Sequence, residues 1–178
     1  MIRLFAAVAP PMEIADGLVR RQTGVDGARW NPPESLHVTL RFFGDVREDI
    51  ARDLDGELAA IGGRPFEIAL QGVGAFGEGR DVHVLWAGLT ECPELKRLAK
   101  ACEAAARRAG LKAETRPYRP HLTLAYLRGA PPAELGAWVQ ANNLLKSPAF
   151  TVAAFGLYSS HQGKGGAHYR LEADYPLT

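Results

Sequence analysis

Two cysteines, Cys92 and Cys102, are all that this chain of 178 residues carries. They lie in one segment without metal-ligand spacing, which argues against a disulfide scaffold or a zinc module and for a reducing compartment. No apolar run approaches the ~20 residues that a membrane helix needs. Near the N-terminus, Leu4 to Ala9 is too short for a signal core, and Pro10-Pro11 would follow the cut. A first β-strand is expected there instead, in a cytoplasmic protein that meets no membrane. Charge of one sign is missing too: 21 basic residues stand against 20 acidic ones, with no long basic run to wrap duplex nucleic acid. A short nucleic acid held at one local site stays open. No serine nucleophile elbow occurs, which removes a serine-triad hydrolase.

What is present is an alternation of strand-like and helix-like segments. Strands are expected at Arg3 to Ala9, Leu36 to Phe43, Phe66 to Gln71, Val82 to Ala87, His121 to Leu127, Phe150 to Tyr158 and His168 to Ala173. Helices are expected over about 12–21, 47–61, 92–109 and 131–142, several of them opened by proline or stopped by glycine. Crossovers mix with hairpins in this order, which favours an α+β fold with largely antiparallel sheets over a doubly wound parallel one. Gly72 to Gly77 matches GxGxxG but runs through Glu78-Gly79-Arg80-Asp81 into another strand, so it reads as a hairpin turn and not a dinucleotide fingerprint. HQGKGGAH resembles a phosphate loop in composition only, and Lys164 at its tip reads as solvated.

One feature occurs twice. His37-Val38-Thr39-Leu40 returns as His121-Leu122-Thr123-Leu124, each copy preceded by a proline-containing loop and followed by a turn and a helix. With five His and seven Thr in the chain, chance gives roughly 0.2 His-x-Thr matches, so two on expected strands are unusual. Side chains alternate along a strand. His37 and Thr39 therefore share one face and Val38, Leu40 and Phe42 the other; His121 and Thr123 oppose Leu122, Leu124 and Tyr126 in the same way. Each strand can bury its aliphatic face and offer an imidazole and a hydroxyl on the other.

Two imidazoles can work as a general acid and a general base, and two hydroxyls can donate to oxygens that gain charge in a transition state. Phosphoryl transfer needs that set, and a cyclic 2′,3′-phosphodiester suits it because its leaving ribose oxygen must be protonated as it departs. No carboxylate or cysteine stands at ligand spacing to complete a metal site. The residues themselves do not say which histidine is acid and which is base. Arg119, two residues before His121, would share that face and is a candidate phosphate partner, a solvated strand-edge arginine being the alternative. Arg41 and Phe43 continue the His37 face by the same counting; Phe43 could stack a base or sit in the core. His83, His161 and His168 lack a threonine partner and read as structural or surface residues.

The paired HVTL and RPHLTLAY resemble the motifs of the two-histidine phosphoesterase superfamily, and more closely of the LigT-like RNA 2′,3′-cyclic phosphodiesterases, also called 2′-5′ RNA ligases. The resemblance runs over essentially the whole chain: RLFAAVAPP is similar to the family's first strand, Trp30 with HVTLRFFG to its first motif, VLWAGL to its middle and FGLYSSHQGKGGAHYRLEADYPL to its C-terminal hairpin. It implies one bilobal α+β domain over residues 1–178, with two pseudo-symmetric antiparallel sheets flanked by helices and a central cleft. It also implies His37 as proton donor, His121 as proton acceptor, Thr39 and Thr123 as phosphate ligands, and neither metal nor nucleotide cofactor. The implied partner is RNA with a 2′,3′-cyclic phosphate end, tRNA fragments and small nucleotides included. The product is a 2′-phosphate, reversible 2′-5′ RNA ligation is a companion reaction, and the chain is expected to be monomeric. A non-catalytic RNA-end binding module, and a sibling enzyme acting on small cyclic nucleotides, are the competing readings. Tyr126 departs from the family pattern, which often has arginine there; alternation points it away from the catalytic face.

Overall fold

All 178 residues are described by a computed structural model. Ten strands and four helices follow one another as β1 (Ile2–Val8), α1 (Met12–Leu18), β2 (Arg29–Trp30), β3 (Val38–Val46), α2 (Glu48–Ala59), β4 (Phe66–Ile68), β5 (Leu70–Phe76), β6 (Val84–Leu89), α3 (Pro93–Arg108), β7 (Leu122–Tyr126), α4 (Pro132–Asn142), β8 (Phe150–Val152), β9 (Ala154–Gly163) and β10 (Gly166–Pro176). Pro93 and Pro132 open α3 and α4 at the first helical position, where the missing N–H costs nothing. Along α3, Leu95, Leu98, Ala99, Cys102, Ala105 and Ala106 form the buried stripe that a helical period of 3.6 produces. Both thiols are free and buried, and burial pushes Cys102 up to about 12, so it is an inert packing residue.

The main sheet runs β10-β9-β1-β3-β7-β6-β5, with β2 added beside β7 and every pairing antiparallel. It consists of two halves, β10-β9-β1-β3 and β7-β6-β5, joined at one residue pair, Val38 opposite Leu122. A forty-residue core fills the helix-covered side. It takes Leu4, Ala6 and Val8 from β1 but neither Phe5 nor Ala7, which face the opposite side. The α+β architecture expected from the sequence is the one observed.

Three local expectations are corrected. Neither Phe66 to Gln71 nor Phe150 to Tyr158 is one strand: β4 pairs with β8 in a separate two-stranded sheet, while β5 begins at Leu70 and β9 at Ala154 in the main sheet. Of the glycines expected in the hairpin turn, Gly72 and Gly74 lie inside β5, and only Gly77 and Gly79 fall in the connection to β6. Gly74 is needed there because the ring of its partner Trp86 lies across it, leaving no room for a methyl group.

Candidate active site

The joint between the halves places the two motifs. Because Val38 faces Leu122 in antiparallel register, the neighbours on the other face cross over: His37 falls opposite Thr123 and Thr39 opposite His121. The four side chains form a diagonal quartet in which each histidine sits beside the threonine of the other motif. All four are half-buried, while Val38, Leu40, Leu122 and Leu124 are buried in the core beneath them.

Both imidazoles are oriented by the same local bond. His37 Nδ1 lies 2.8 Å from the Ser35 carbonyl and His121 Nδ1 lies 2.7 Å from the Arg119 carbonyl. A carbonyl can only accept, so each Nδ1 carries a proton, and each Nε2 is left to exchange one with a ligand. A second pair of bonds laces the motifs together. The Asn31 side chain, ahead of the first motif, donates to the Thr123 carbonyl at 3.0 Å. The Tyr118 hydroxyl, ahead of the second, donates to the Thr39 carbonyl at 2.8 Å. Each proline-containing loop therefore holds the threonine strand of the opposite motif. Sequence reasoning missed this, although both residues stand in the loops it had noted as alike.

The surroundings of the two rings differ. His37 stacks on Phe5, with centroids 4.7 Å apart, and meets the edge of Tyr169 at 5.1 Å; Tyr158 stacks on the far side of Phe5. Burial lowers the pKa of His37 below the ordinary histidine value, the Ser35 carbonyl opposes that shift, and the charge of His121 adds to it. His121 meets Phe76 edge-on at 4.9 Å and opens onto a groove of about 330 Å³ lined in part by Trp86, Lys96 and Arg119.

The remaining expected site residues fall out differently. Arg119 is exposed in that groove beside His121. Arg41 is spent elsewhere: it pairs with Glu103 on α3 and donates to the carbonyls of Phe42 and Lys112. Phe43 is a core residue, 9% exposed, and does not reach the cleft to stack a base. The reason is irregular pairing in β3: against β1 the register skips Leu40 and again Phe43, which breaks simple alternation. Phe42 is turned outward under Arg3 instead.

Comparison with known proteins decides the family. The family model of the 2'-5' RNA ligase superfamily matches residues 10–164. The chain belongs to the 2'-5' RNA ligase superfamily. It is 30% identical over 184 residues to the RNA 2',3'-cyclic phosphodiesterase of Escherichia coli (strain K12), covering 99% of this chain and 97% of that protein. It is 32% identical over 130 residues to the protein of the same name from Archaeoglobus fulgidus, covering 71% of this chain and 73% of the other. Among solved structures, E. coli LigT complexed with 3'-AMP superposes with a TM-score of 0.82 at 27% identity, over 99% of this chain and 98% of that one. A protein of Thermus thermophilus superposes at 0.79 with 30% identity and the same coverage.

Within this superfamily member, Tyr126 is the last correction. The register between β6 and β7 skips Leu124, so Leu124 and Ala125 are both buried and Tyr126 returns to the face of Thr123. It lies beside Tyr169, whose phenol is pushed up to about 12 by burial and by the Tyr126 hydroxyl. The Arg29 guanidinium lies over the Tyr126 ring, 5.3 Å from its centroid. The residue expected to point away from the catalytic face thus stands next to the ring that covers His37.

Proposed function

We propose that this chain hydrolyses the 2′,3′-cyclic phosphate end of RNA to a 2′-phosphate, using its two histidines as acid and base. The observation that carries this reading is the diagonal quartet: two imidazoles with Nδ1 fixed and Nε2 free, each beside a threonine hydroxyl. The names of the relatives, RNA 2',3'-cyclic phosphodiesterase in several species, agree with it.

In this reading the cyclic phosphate lies between the two Nε2 atoms. His121 takes a proton from water as the water oxygen attacks phosphorus; the P–O3′ bond breaks, and His37 gives its Nε2 proton to the departing 3′ oxygen. Thr39 and Thr123 donate to the non-bridging oxygens as their charge grows, where such donors count most. His37 must be protonated for this, against its lowered pKa. The phosphodiester anion supplies the opposing term, since a negative charge beside an imidazole favours its charged form. No step calls on a metal. Arg119 stands where it can hold a phosphate oxygen beside His121. The free, buried thiols fit the cytoplasm in which such an RNA end would be met.

A short RNA with a 2′,3′-cyclic end, incubated in EDTA, tests the reading. Wild type should release the 2′-phosphate product, and His37→Ala and His121→Ala should each lose about 10²–10⁴-fold in kcat. Retention of activity in both variants would refute the site, and its loss in EDTA would refute the metal-free chemistry. Binding of the RNA without turnover by wild type would point to a binding module.

A further inference from the structure

One cation on the His37 side of the cleft has no anion to hold. Arg29 stands opposite Tyr126 in the β2–β7 pair, and residues directly opposite in an antiparallel pair share a face. Tyr126 has returned to the face of Thr123, so Arg29 belongs to the cleft as well. Its guanidinium lies over the Tyr126 ring, 5.3 Å from the centroid. It also lies against the tip of the β9–β10 hairpin, where Gly166 leaves it room: a Cβ there would stand 3.4 Å from Arg29 Nη1. Arg29 is exposed and forms no ion pair with a carboxylate. Burial raises the pKa of the Tyr169 phenol and the Arg29 charge opposes that rise, so this cation is felt at the ring that covers His37.

We infer that Arg29 is a specificity-determining residue: it binds the phosphate on the 5′ oxygen of the nucleotide whose cyclic end is opened. That role rests on the proposed reaction and its assignment of His37 as acid. Because the 3′ oxygen departs toward His37, the ribose that carries it lies on the His37 side of phosphorus. On that side Tyr169 leads from His37 to Tyr126 and Arg29. Distance separates this role from a hold on the reacting phosphate itself. Tyr126 is three residues past Thr123, about 10 Å at the rise of an antiparallel strand. A guanidinium held over the Tyr126 ring is thus too far along to share a phosphate with Thr123, and is placed for the next one. Stacking fixes its plane without using its N–H groups, which leaves the planar fork free to donate two bonds to phosphate oxygens. In RNA that phosphate is the diester to the preceding nucleotide, and in a mononucleotide it is a terminal 5′-phosphate; the chemistry that recognises them is the same. A cyclic nucleotide with a bare 5′-hydroxyl leaves the cation unused.

The test compares adenosine 2′,3′-cyclic phosphate with the same nucleotide carrying a 5′-phosphate and with a cyclic-ended adenosine dinucleotide. Each kcat/KM is divided by that of the bare nucleotide within one variant, so the ratio does not depend on how much of a variant is folded. Wild type should favour the 5′-substituted substrates by about tenfold, the worth of one charge-assisted contact at an exposed site. Arg29→Met should remove the preference, and Arg29→Lys, which keeps the charge without the fork, should keep part of it. Lys164→Met, at the hairpin tip, should leave the ratios as in wild type. Added salt should lower the wild-type ratios and leave those of Arg29→Met in place. A preference confined to the dinucleotide assigns the site to the diester of a strand, and one shared by both substrates assigns it to any 5′-phosphate. Ratios unmoved by Arg29→Met, or lost in Lys164→Met instead, would overturn the inference. Failure of wild type to open any of the three would overturn the functional reading and this inference with it. Opening all three with equal efficiency overturns the inference alone.

Discussion

Removing a single hydroxyl, in Tyr118→Phe, separates positioning from mere stability at this site. The Tyr118 hydroxyl donates to the Thr39 carbonyl at 2.8 Å, and burial raises its pKa, so it stays a neutral donor through the working range. The ring is kept, so the loss is one hydrogen bond and one carbonyl left short of a partner, about 1–3 kcal/mol. In a chain of this length that lowers Tm by roughly 3–9 °C. A hydroxyl elsewhere gives the control: Tyr175 donates to Asp55 at 2.6 Å, joining β10 to α2 on the helix-covered side. Tyr175→Phe should lower Tm by a similar amount and leave kcat alone. Tyr118→Phe should in addition lower kcat about tenfold with KM within about twofold. A donor that matters only in the transition state loses rate, not ground-state binding, and misplacement by 1 Å costs as much as 10²-fold. Thermal melts and steady-state kinetics on the cyclic-ended RNA measure both quantities. If the two variants lose Tm alike and neither loses kcat, the lacing is structural only and the reasoning fails.

Two further outcomes follow from the same geometry. His37 is held below its ordinary pKa in the folded chain, so the unfolded chain binds the extra proton. Stability is therefore complete above about pH 6.5 and falls as pH drops through that value. Urea midpoints at pH 7.5 and pH 5 should show a drop that is smaller in His37→Gln; an equal drop in both would refute it. Gly74→Ala puts a methyl group into the Trp86 ring, so the ring must lift, at about 1–3 kcal/mol of overpacking. Tryptophan emission should shift and Tm should fall, whereas Gly17→Ala, in open space, should do neither.

Much of the site was legible because it obeys the simplest rule of a strand. His37, Thr39, His121 and Thr123 sit within three residues at the start of their strands, before any irregularity, and there period-two alternation places them correctly. The errors begin where pairing skips a residue. Past Leu40 and Phe43 in β3, and past Leu124 in β7, one strand carries an extra residue against its neighbour. Phe43 therefore enters the core and Tyr126 enters the cleft, and nothing local in either stretch marks the skip. Arg41 was misplaced for a different reason. Its partner Glu103 lies 62 residues away, and no pattern in β3 announces it. The bonds from Asn31 and Tyr118 are equally long-range, but here a signal existed: both loops precede a His-x-Thr copy, and both carry a side-chain donor.

The duplication also explains why the two halves differ. An antiparallel joint at Val38 and Leu122 makes the motifs equivalent in backbone, down to the matching Nδ1 bonds. Identical surroundings would give identical pKa values, and an acid–base pair works only when one ring is charged and the other neutral. The symmetry is broken by what each neighbouring strand presents. On one side β1 supplies Phe5, and the β9–β10 hairpin closes Tyr158 and Tyr169 over it. On the other side β5 supplies glycine, so Trp86 lies flat and the groove stays open. Burial favours the neutral form of His37 in the empty enzyme. In the proposed reaction its service as the acid therefore depends on the phosphate anion, which couples protonation of the donor to arrival of the substrate.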